Sequence, residues 1–362
     1  MNQNDDEKFI RRCFELARRG EGCVSPNPLV GCVITREGKI ISEGWHEKFG
    51  GPHAEANAIK RAAENLEGVT IYCSLEPCSH IDKKTPPCVP LIIESGIEKV
   101  VVSNIDPNPK VAGKGIEILR NSGVEVVVGI CEEEGNELNR FYFKSVLQKL
   151  PYVTVKIAQS IDGKIAGAEN TRTQITGSGS IEFVHKQRSI YNAVLVGKGT
   201  VNIDNPMLNV RNMNGRNPVR IILDGSLNVN PDSICLNDEN RASTWVFCSD
   251  KVDNAKVDVL TNKGVKVFRL EVDTNGRIDL RLLLSKLNDL NIQSVFVEGG
   301  REIFSQFISE SLFDELIILQ APIILGKGID AFDVSLQSQL KLSSAEKIGE
   351  DQKLVYRKIL QQ

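Results

Sequence analysis

The chain lacks several features that mark whole classes of protein. Among its 362 residues only four are histidine, two are tryptophan and three are methionine, and aromatic residues make up 6%. No segment reaches the run of about 20 apolar residues that a membrane-spanning helix needs. The opening residues MNQNDDEKFIRRCFELARRG are polar and lack the apolar core of a secretory signal. We therefore expect a cytoplasmic protein with no membrane partner.

The sequence also lacks a strong excess of either charge. It has 44 basic and 47 acidic residues, so the net charge is -3. Nucleic-acid-binding domains usually have a basic stripe with aromatic side chains for stacking, and no such stripe is evident, so we expect no nucleic-acid partner. Nine cysteines is an odd number for a chain without an export signal, which argues against a disulfide framework. The thiols are then available to a metal.

Length and patterning predict two α/β domains. A chain of 362 residues exceeds one ordinary hydrophobic core, and predicted strands alternate with predicted helices in both halves. An amphipathic helix is predicted over residues 5–19 and a long helix over residues 132–150, which Pro151 ends. The two domains are therefore expected to span residues 1–149 and 150–362. The residues of the first helix that are expected to face the core are Phe9, Cys13, Leu16 and Ala17.

A short window of the first half combines histidine, glutamate and cysteine. His53 and Glu55 open a predicted helix in the sequence HAE, Cys78 follows a proline and a predicted buried strand, and Cys88 opens the next helix. This order is typical of zinc-dependent nucleobase deaminases. One imidazole and two thiolates hold the metal and leave a position for water, and a nearby carboxylate moves the protons. We predict His53, Cys78 and Cys88 as zinc ligands and Glu55 as the catalytic acid/base.

Simpler interpretations of these residues remain open at this stage. HAE alone is a weak signal, because a histidine at a helix start is usually part of the polar surface. Cys78 and Cys88 alone could belong to a disulfide or an ordinary loop. A purely structural zinc is a further alternative, although the adjacent Glu55 favours an open catalytic site. The other seven cysteines lie mostly in apolar runs and are expected to be small core residues: Cys13, Cys23, Cys32, Cys73, Cys131, Cys235 and Cys248.

The second half offers weaker signals. A predicted strand ends at Gly299–Gly300 before a predicted helix, a turn that can present N–H groups to an anion, although a lone glycine pair is more often an ordinary helix start. No G-x-G-x-x-G sequence follows a strand, so a Rossmann fold is not favoured. Lys156, Arg188 and Arg211 are candidates for a substrate phosphate, with ordinary surface charge as the alternative. His185 is expected to be structural.

Several segments together resemble a known family. The deaminase half of the bifunctional riboflavin-biosynthesis deaminase/reductases is similar to SPNPLVGCVI (25–34), GWHEKFGGPHAE (44–55), EPCSH, KTPPC and DPNPKVAGKG (106–115). Its reductase half is similar to KIAQSIDGKIA (156–166), AVLVGKGTVNIDNPMLNVR (193–211) and VEGG (297–300). The resemblance runs in order along nearly the whole chain.

This resemblance implies a cytidine-deaminase-like three-layer domain followed by a dihydrofolate-reductase-like domain. We also expect the chain to form a homo-oligomer. The first domain would hydrolyse the amino group of 2,5-diamino-6-ribosylamino-4(3H)-pyrimidinone 5′-phosphate. The second would use NADPH to reduce the ribosyl group and give 5-amino-6-ribitylamino-uracil 5′-phosphate.

The resemblance also implies which residues contact each ligand. In the first domain the pyrimidine ribotide would contact Asn27, His46, His80, Lys84, Asp106 and Asn108. NADPH would contact Ala158, Gly197, Thr200, Gly299, Gly300, Arg301, Glu302, Ile303 and Phe304. The substrate of the second domain would contact Lys156, Arg188, Asp204, Leu208, Arg211 and Glu298. The loop between the two cysteines is one residue longer than is usual in the family, so the choice of Lys84 over Lys83 stays open.

Two other functions compete with this hypothesis. A deaminase of nucleic-acid bases with an RNA-binding second domain is disfavoured by the acidic net charge. A protein without enzymatic activity, with a structural zinc and a binding module, is disfavoured by Glu55.

Overall fold

The computed structural model describes residues 3–79, 86–168, 172–273, 276–334 and 339–359. The chain divides into two compact units, Met1–Lys149 and Leu150–Gln362. Each unit has its own sheet and its own hydrophobic core. Across the described residues, no helix combines the length and apolar character needed to cross a membrane.

The first unit contains five strands and six helices among its described residues. In chain order they are α1 (Gln3–Arg18), β1 (Gly31–Arg36), β2 (Lys39–Trp45), α2 (Ala54–Arg61), β3 (Thr70–Leu75), α3 (Cys88–Glu94), β4 (Lys99–Asn104), α4 (Lys114–Asn121), β5 (Glu125–Val128), α5 (Glu132–Leu138) and α6 (Arg140–Gln148). The strand order is β2-β1-β3-β4-β5. Strand β1 pairs antiparallel with β2 and β3, and β3, β4 and β5 are parallel.

Alternating side chains divide the first unit into three layers. Val33 and Tyr72 lie on one face of the sheet with the apolar residues of α1. Their neighbours Ile34 and Ile71 lie on the other face, where α2, α3 and α4 supply the packing residues. Because a strand alternates its side chains with a period of two, one sheet can bury both faces between helices. The predicted three-layer α/β arrangement is confirmed.

Helix α1 buries the face predicted for it. Phe9 is 3% exposed, and Cys13, Leu16 and Ala17 are fully buried. The 3.6-residue period of a helix brings these positions onto one side, which packs on β1 and β3.

The helix predicted over residues 132–150 is wrong as a single element, because α5 and α6 are separated at Asn139. This residue has φ of −104° and is buried. Its side chain accepts a hydrogen bond from the Leu29 N–H (2.8 Å) and donates one to the Leu29 carbonyl (2.9 Å). The side-chain amide thus satisfies a distant main-chain segment at the point where the helix breaks.

The second unit contains eleven strands and six α-helices among its described residues. In chain order they are β6 (Tyr152–Ser160), β7 (Lys164–Ala166), α7 (Ser178–Ile190), β8 (Ala193–Gly197), α8 (Lys198–Asp204), β9 (Val219–Leu223), α9 (Ile234–Asn237), β10 (Thr244–Ser249), α10 (Asn254–Thr261), β11 (Lys266–Leu270), α11 (Leu280–Asp289), β12 (Ser294–Gly299), α12 (Arg301–Ser309), β13 (Glu315–Ala321), β14 (Ile329–Asp330), β15 (Leu340–Ile348) and β16 (Asp351–Lys358). A short 3₁₀ helix spans Arg241–Ser243.

Nine of these strands form one sheet in the order β11-β10-β9-β8-β12-β6-β13-β16-β15. The seven strands from β11 to β13 are parallel, and β16 and β15 continue the sheet antiparallel. Strands β7 and β14 form a separate pair. Helices pack on both faces of the large sheet. Because the parallel strands all end at one edge, the turns after β6, β8 and β12 meet there.

All nine cysteines lie among the described residues, and none forms a disulfide. Five of the seven predicted core cysteines are buried: Cys13, Cys32, Cys73, Cys235 and Cys248. The prediction is wrong for Cys23, whose side chain is exposed. Cys23 lies in a turn, where its main-chain N–H donates to the Gly20 carbonyl. The prediction holds only in part for Cys131, which is half-buried and lies directly before α5 with a left-handed φ of 56°.

Candidate active sites

Three side chains of the first unit lie as close together as the ligands of one metal ion. His53 precedes α2, Cys78 follows β3 and Cys88 is the first residue of α3. Nδ1 of His53 lies 3.4 Å from Sγ of Cys78 and 3.6 Å from Sγ of Cys88. The three ligand atoms lie within 4.8 Å of one another. The fold thus brings together the three residues predicted from the sequence as zinc ligands.

The geometry of this cluster fits tetrahedral zinc. With Zn–S bonds of about 2.3 Å and Zn–N bonds of about 2.1 Å, tetrahedral angles place nitrogen and sulfur about 3.6 Å apart. The two nitrogen–sulfur distances, 3.4 and 3.6 Å, agree with that value. The Cys88 N–H also donates to Sγ of Cys78 at 3.4 Å. Such a bond favours the thiolate form, which is the form that binds metal.

Glu55 lies in the first turn of α2, two residues after His53, and is 2% exposed. Burial raises the pKa of the Cys32 thiol well above its usual range, and the charge of Glu55 adds to that shift. Since Cys32 lies on β1, Glu55 is on the side of α2 that faces the sheet. The candidate metal cluster consists of His53, Cys78 and Cys88, and Glu55 is a buried carboxyl group two residues along the chain from His53.

Asn27 and His46 form a hydrogen-bonded pair next to the metal cluster. The His46 ring packs edge-on against the His53 ring, with centroids 5.4 Å apart. Nδ1 of His46 lies 3.0 Å from the Pro52 carbonyl, which can only accept, so Nδ1 is the donor. Its Nε2 lies 3.1 Å from the Asn27 amide nitrogen and accepts from it. Burial lowers the pKa of His46, which favours this neutral ring.

Asp106 and Asn108 lie on the loop between β4 and α4. Oδ1 of Asp106 accepts hydrogen bonds from the Asn108 N–H and from the Tyr142 hydroxyl, both at 2.9 Å. Burial raises the pKa of Asp106 to about 6, and the charges of Glu76 and Cys78 contribute to this shift. Asp106 therefore lies within electrostatic range of the metal cluster. The other two predicted contacts of this site, His80 and Lys84, lie outside the described residues.

Glu76 and Tyr142 are two residues of this site that the sequence interpretation missed. Glu76 precedes Pro77 and is 4% exposed, with its carboxylate bonded to main-chain N–H groups of the Asp106 loop. The sequence feature that could have identified Glu76 is an acidic residue directly after a buried strand and two residues before a predicted metal ligand. Tyr142 had no local signal, since it lies on α6, far along the chain from Asp106.

In the second unit, two strand ends bring several predicted cofactor residues together. Strands β8 and β12 are adjacent, with Gly197 at the end of one and Gly299 at the end of the other. A Cβ on Gly299 would lie 2.8 Å from Oγ1 of Thr200, and one on Gly300 would lie 3.2 Å from the same atom. A Cβ on Gly197 would lie 3.0 Å from Ile303. Helices α8 and α12 thus begin side by side, each after a glycine.

The other predicted cofactor residues differ in their exposure. Ala158, on β6, is partly exposed at the same sheet edge. In α12, Glu302 is exposed, and Arg301 forms an ion pair of 2.8 Å with Asp333. Phe304 is 3% exposed and packs in the core, so its side chain supports the helix from below.

A buried charge cluster lies beside this edge. Arg188 donates to both carboxylate oxygens of Glu298, at 2.6 and 2.8 Å, and Nζ of Lys156 lies 3.8 Å from the same carboxylate. Burial opposes ionisation of Glu298, but the charges of Arg188 and Lys156 outweigh it, so its pKa is lowered. Burial lowers the pKa of Lys156, with Arg188 acting in the same direction. The surface-charge alternative is therefore wrong for Lys156 and Arg188, which are 8% and 9% exposed.

Asp204, His185 and Arg211 extend this cluster. Burial raises the pKa of Asp204, while the charges of Arg172 and Lys156 oppose the shift. His185 is 5% exposed, and burial lowers its pKa, with the charges of Arg188 and Arg211 adding to the shift. Arg211 itself is exposed.

Leu208 is placed differently from the other predicted substrate contacts. It is 2% exposed and has a left-handed φ of 52°. Its side chain packs in the apolar cluster that includes Val201 and Leu236. The side chain therefore contributes to the core, and only the main chain is left to contact a ligand.

Comparisons with known proteins agree with both halves of this description. The family model of the cytidine and deoxycytidylate deaminase zinc-binding region matches residues 3–104. The model of the RibD C-terminal domain matches residues 151–354. The riboflavin biosynthesis protein RibD of Aquifex aeolicus (strain VF5) is 42% identical over 357 residues, which cover 97% of this chain and 98% of the relative. That of Actinobacillus pleuropneumoniae is 40% identical over 361 residues, covering 97% and 95%.

Two solved structures are similar over nearly their whole length. Form 1 of Acinetobacter baumannii RibD is 36% identical, with a TM-score of 0.90, and the match covers 98% of this chain and 99% of that one. A diaminohydroxyphosphoribosylaminopyrimidine deaminase/5-amino-6-(5-phosphoribosylamino)uracil reductase from Thermotoga maritima is 39% identical, with a TM-score of 0.86 and 99% of each chain covered.

The fold, the sites and these matches define a bifunctional enzyme, in which one chain contains a zinc-binding deaminase domain and a reductase domain. The cytidine-deaminase-like and dihydrofolate-reductase-like folds predicted for the two halves are confirmed. The chain belongs to the RibD family of riboflavin biosynthesis. The family predicted from the sequence motifs is confirmed, and the two competing functions are set aside.

Proposed function

We propose that the first unit hydrolyses the amino group of 2,5-diamino-6-ribosylamino-4(3H)-pyrimidinone 5′-phosphate and that the second unit then reduces the ribosyl group with NADPH. The product is 5-amino-6-ribitylamino-uracil 5′-phosphate. The observation on which the first step rests most directly is the His53–Cys78–Cys88 cluster beside a buried Glu55. We assign the deaminase to residues 1–149 and the reductase to residues 150–362, and the division into two compact units at this point supports the assignment.

We assign the zinc to His53 Nδ1 and to the thiolates of Cys78 and Cys88. A zinc ion held by these three side chains would supply a water molecule whose pKa lies near neutrality. Catalytic zinc sites with three protein ligands keep a coordination position for such a water. The nitrogen–sulfur distances of 3.4 and 3.6 Å support this assignment.

Glu55 moves the protons of the hydrolysis. Its carboxylate takes a proton from the attacking water and delivers it to a ring nitrogen of the pyrimidine. It then transfers the second water proton to the departing amino group, which leaves as ammonia. A buried carboxyl group two residues from a ligand can reach both the water and the ring.

Asn27, His46, Asp106 and Asn108 orient the pyrimidine ribotide. The neutral His46 ring receives a hydrogen bond from the Asn27 amide, which fixes the rotamer of Asn27. Asp106 holds the Asn108 main chain in its turn through a 2.9 Å bond. We assign the substrate phosphate to His80 and Lys84 on the resemblance of the loop sequence to the family.

In the second unit we place NADPH over the ends of β6, β8 and β12. The cofactor supplies the hydride. Helices α8 and α12 begin side by side after Gly197 and Gly300, where their first main-chain N–H groups can receive a phosphate. The assigned contacts are Ala158, Gly197, Thr200, Gly299, Gly300, Arg301, Glu302, Ile303 and Phe304.

The charge cluster beside this edge receives the ribosylamine substrate. Lys156, Arg188 and Arg211 bind its phosphate and hydroxyl groups, with Glu298 fixing Arg188 and the main chain of Leu208 completing the site. Asp204 is the better of two candidates for the acid that assists ring opening. Burial raises the pKa of Asp204, whereas the pKa of Glu298 is lowered by its ion pairs. A carboxyl group with a raised pKa donates a proton more readily near neutral pH.

The first experiment measures zinc content, ammonia release and NADPH oxidation by the purified chain on the pyrimidine ribotide. We expect about one zinc per chain, ammonia release without NADPH, and NADPH oxidation that depends on prior deamination. Ammonia release in the absence of zinc would contradict the role of the metal, and oxidation of NADPH on the aminated substrate would contradict the proposed order.

Glu55→Gln tests the proton transfer. The variant should keep its zinc and its fold but release ammonia about 10²- to 10⁴-fold more slowly, since one acid/base group contributes a factor of that size. The matched control is Glu117→Gln, at an exposed glutamate of α4. If Glu55→Gln loses zinc or unfolds while the control does not, Glu55 has a structural role and the assignment fails.

A further inference from the structure

The carboxylate of Glu76 connects two loops of the deaminase unit. Its Oε2 accepts hydrogen bonds from the Asp106 N–H (3.2 Å) and the Gly113 N–H (2.9 Å), and its Oε1 accepts one from the Gly115 N–H (3.0 Å). Glu76 is 4% exposed. A buried carboxylate is therefore satisfied by three main-chain donors of one segment, residues 106–115.

The two ends of this connection lie at different parts of the site. Glu76 precedes Cys78 by two residues, and the Cys78 carbonyl accepts from the N–H groups of Cys88 and Val89. The segment at the other end contains Asp106 and Asn108, which we assign to the pyrimidine ribotide. The three bonds of Glu76 thus join the metal-ligand loop to the substrate loop.

A close main-chain approach supports the same junction independently. Gly115 is buried, and a Cβ at this position would lie 2.3 Å from the Pro77 carbonyl oxygen and 3.2 Å from Oε1 of Glu76. No side chain fits there without moving one of the two segments. Glycine lets α4 begin directly against the residue that precedes Cys78.

We propose that Glu76 is a positioning residue for deamination: its carboxylate holds the 106–115 segment against the Cys78 loop, so that Asp106 and Asn108 meet the substrate at the metal. This inference rests on the proposed function, since it takes Asp106 and Asn108 as substrate contacts. Glu76 acts through these residues and takes no part in the proton transfers.

The carboxylate is needed because all three partners are donors. A glutamine side chain has one acceptor oxygen, which can replace Oε2 and keep the bonds from Asp106 and Gly113. Its amide nitrogen would then face the Gly115 N–H, donor against donor, and that buried N–H would lose its partner. Substitution by glutamine therefore nearly preserves the size and shape of the side chain but removes the hydrogen bond from Gly115.

Glu76→Gln is the test, with Glu117→Gln as the matched control in the neighbouring helix. We expect the KM for the pyrimidine ribotide to rise about 10- to 100-fold, the factor that one charged hydrogen bond represents. The kcat should change by less than about threefold, and zinc content should stay at the wild-type value. Amide hydrogen exchange at Gly115 should become faster while that at Gly113 stays near the wild-type rate, which reports on the junction without any substrate.

Several outcomes would overturn the proposal. An unchanged KM with faster exchange would mean that the junction has no part in substrate binding. A loss of zinc, or a fall in kcat with KM unchanged, would mean that Glu76 acts on the metal ligands. If wild-type protein with its zinc releases no ammonia, the proposed function itself fails, and the exchange data still report on the junction.

Gly115→Ala decides the matter if Glu76→Gln does not fold. The added Cβ would push the start of α4 away from Pro77 while leaving the Glu76 side chain chemically unchanged. The same pattern is expected, a raised KM with zinc and kcat retained. A wild-type KM in a folded Gly115→Ala protein would contradict the proposal.

Discussion

At the scale of single residues, the deaminase site depends on carboxyl groups whose surroundings differ. Glu55 is buried beside the metal cluster, Glu76 is satisfied by three N–H groups, and Asp106 has a pKa raised to about 6. Burial penalises the charged form of Asp106, and the two bonds from Asn108 and Tyr142 recover only part of that cost. The ionised form of Asp106 therefore lowers the stability of the folded state near neutral pH.

Asp106→Asn should reveal this cost as a pH dependence. Because the folded-state pKa of Asp106 is about 6, above the usual value of 3.8, the stabilisation from its protonated form is complete below about pH 4 and is lost as the pH rises toward 6. Asparagine can accept the same two hydrogen bonds without ionising. The free energy of unfolding of the variant, relative to wild type, should therefore increase between pH 4 and pH 7 by up to about 3 kcal/mol.

Urea unfolding of both proteins across that pH range measures the difference, with the exposed Asp5→Asn as control. A constant difference between Asp106→Asn and wild type would show that Asp106 ionises normally in the fold. We nevertheless expect weaker deamination by the variant at pH 7, because we assign Asp106 to the binding of the pyrimidine ribotide.

At the scale of elements, the positions of helix starts and breaks organise the first site. His53 and Cys88 lie where α2 and α3 begin, and Cys78 lies just beyond the end of β3. The break between α5 and α6 matters as well, because Asn139 there binds both main-chain groups of Leu29. Leu29 is two residues from Asn27, so the break anchors the loop that contacts His46.

Asn139→Ala should therefore destabilise the first unit. The substitution leaves the Leu29 N–H and carbonyl without the amide partner, and each unsatisfied group costs about 1–3 kcal/mol. We expect a loss of about 2–4 kcal/mol in the free energy of unfolding, measured with urea. The control Asn121→Ala, at an exposed position of α4, should stay within about 0.5 kcal/mol of wild type. A similarly small change for Asn139→Ala would mean that water replaces the amide.

At the scale of the whole molecule, two units with separate cores and separate sites perform two kinds of chemistry. The metal cluster belongs entirely to residues before 149, and the Lys156–Arg188–Glu298 cluster belongs entirely to residues after 150. A change in the reacting groups of one unit should leave the reaction of the other intact.

Asp204→Asn tests this separation together with the acid role of Asp204. The full-length variant should oxidise NADPH on the deaminated substrate about 10²- to 10⁴-fold more slowly than wild type. Ammonia release from the aminated substrate should be unchanged. The control is Asp258→Asn, which removes the same negative charge at an exposed position of α10. Normal NADPH oxidation by Asp204→Asn would remove it as the acid, and a parallel loss of ammonia release would contradict the separation.

The sequence by itself determined the family, the α/β class of both units and the residues of the metal cluster. These properties depend on short motifs and on the local period of apolar residues, which a single segment displays. The HAE and PC sequences contain residue types that bind metals, at positions where helices and strands begin or end. The buried face of α1 followed from its helical period. The same reasoning failed for Cys23, because a residue's exposure in a turn depends on what covers the turn.

Only the tertiary structure decided the contacts between distant segments. The helix predicted over 132–150 is divided in the structure. Glu76 accepts hydrogen bonds from Gly113 and Gly115, and the Tyr142 hydroxyl donates one to Asp106. The tertiary structure also showed that Lys156 and Arg188, predicted as phosphate contacts with surface charge as the alternative, form a buried cluster with Glu298. The physical reason is common to all of these: a buried polar group must find a partner, and the partner is chosen by packing in space rather than by neighbours in the chain.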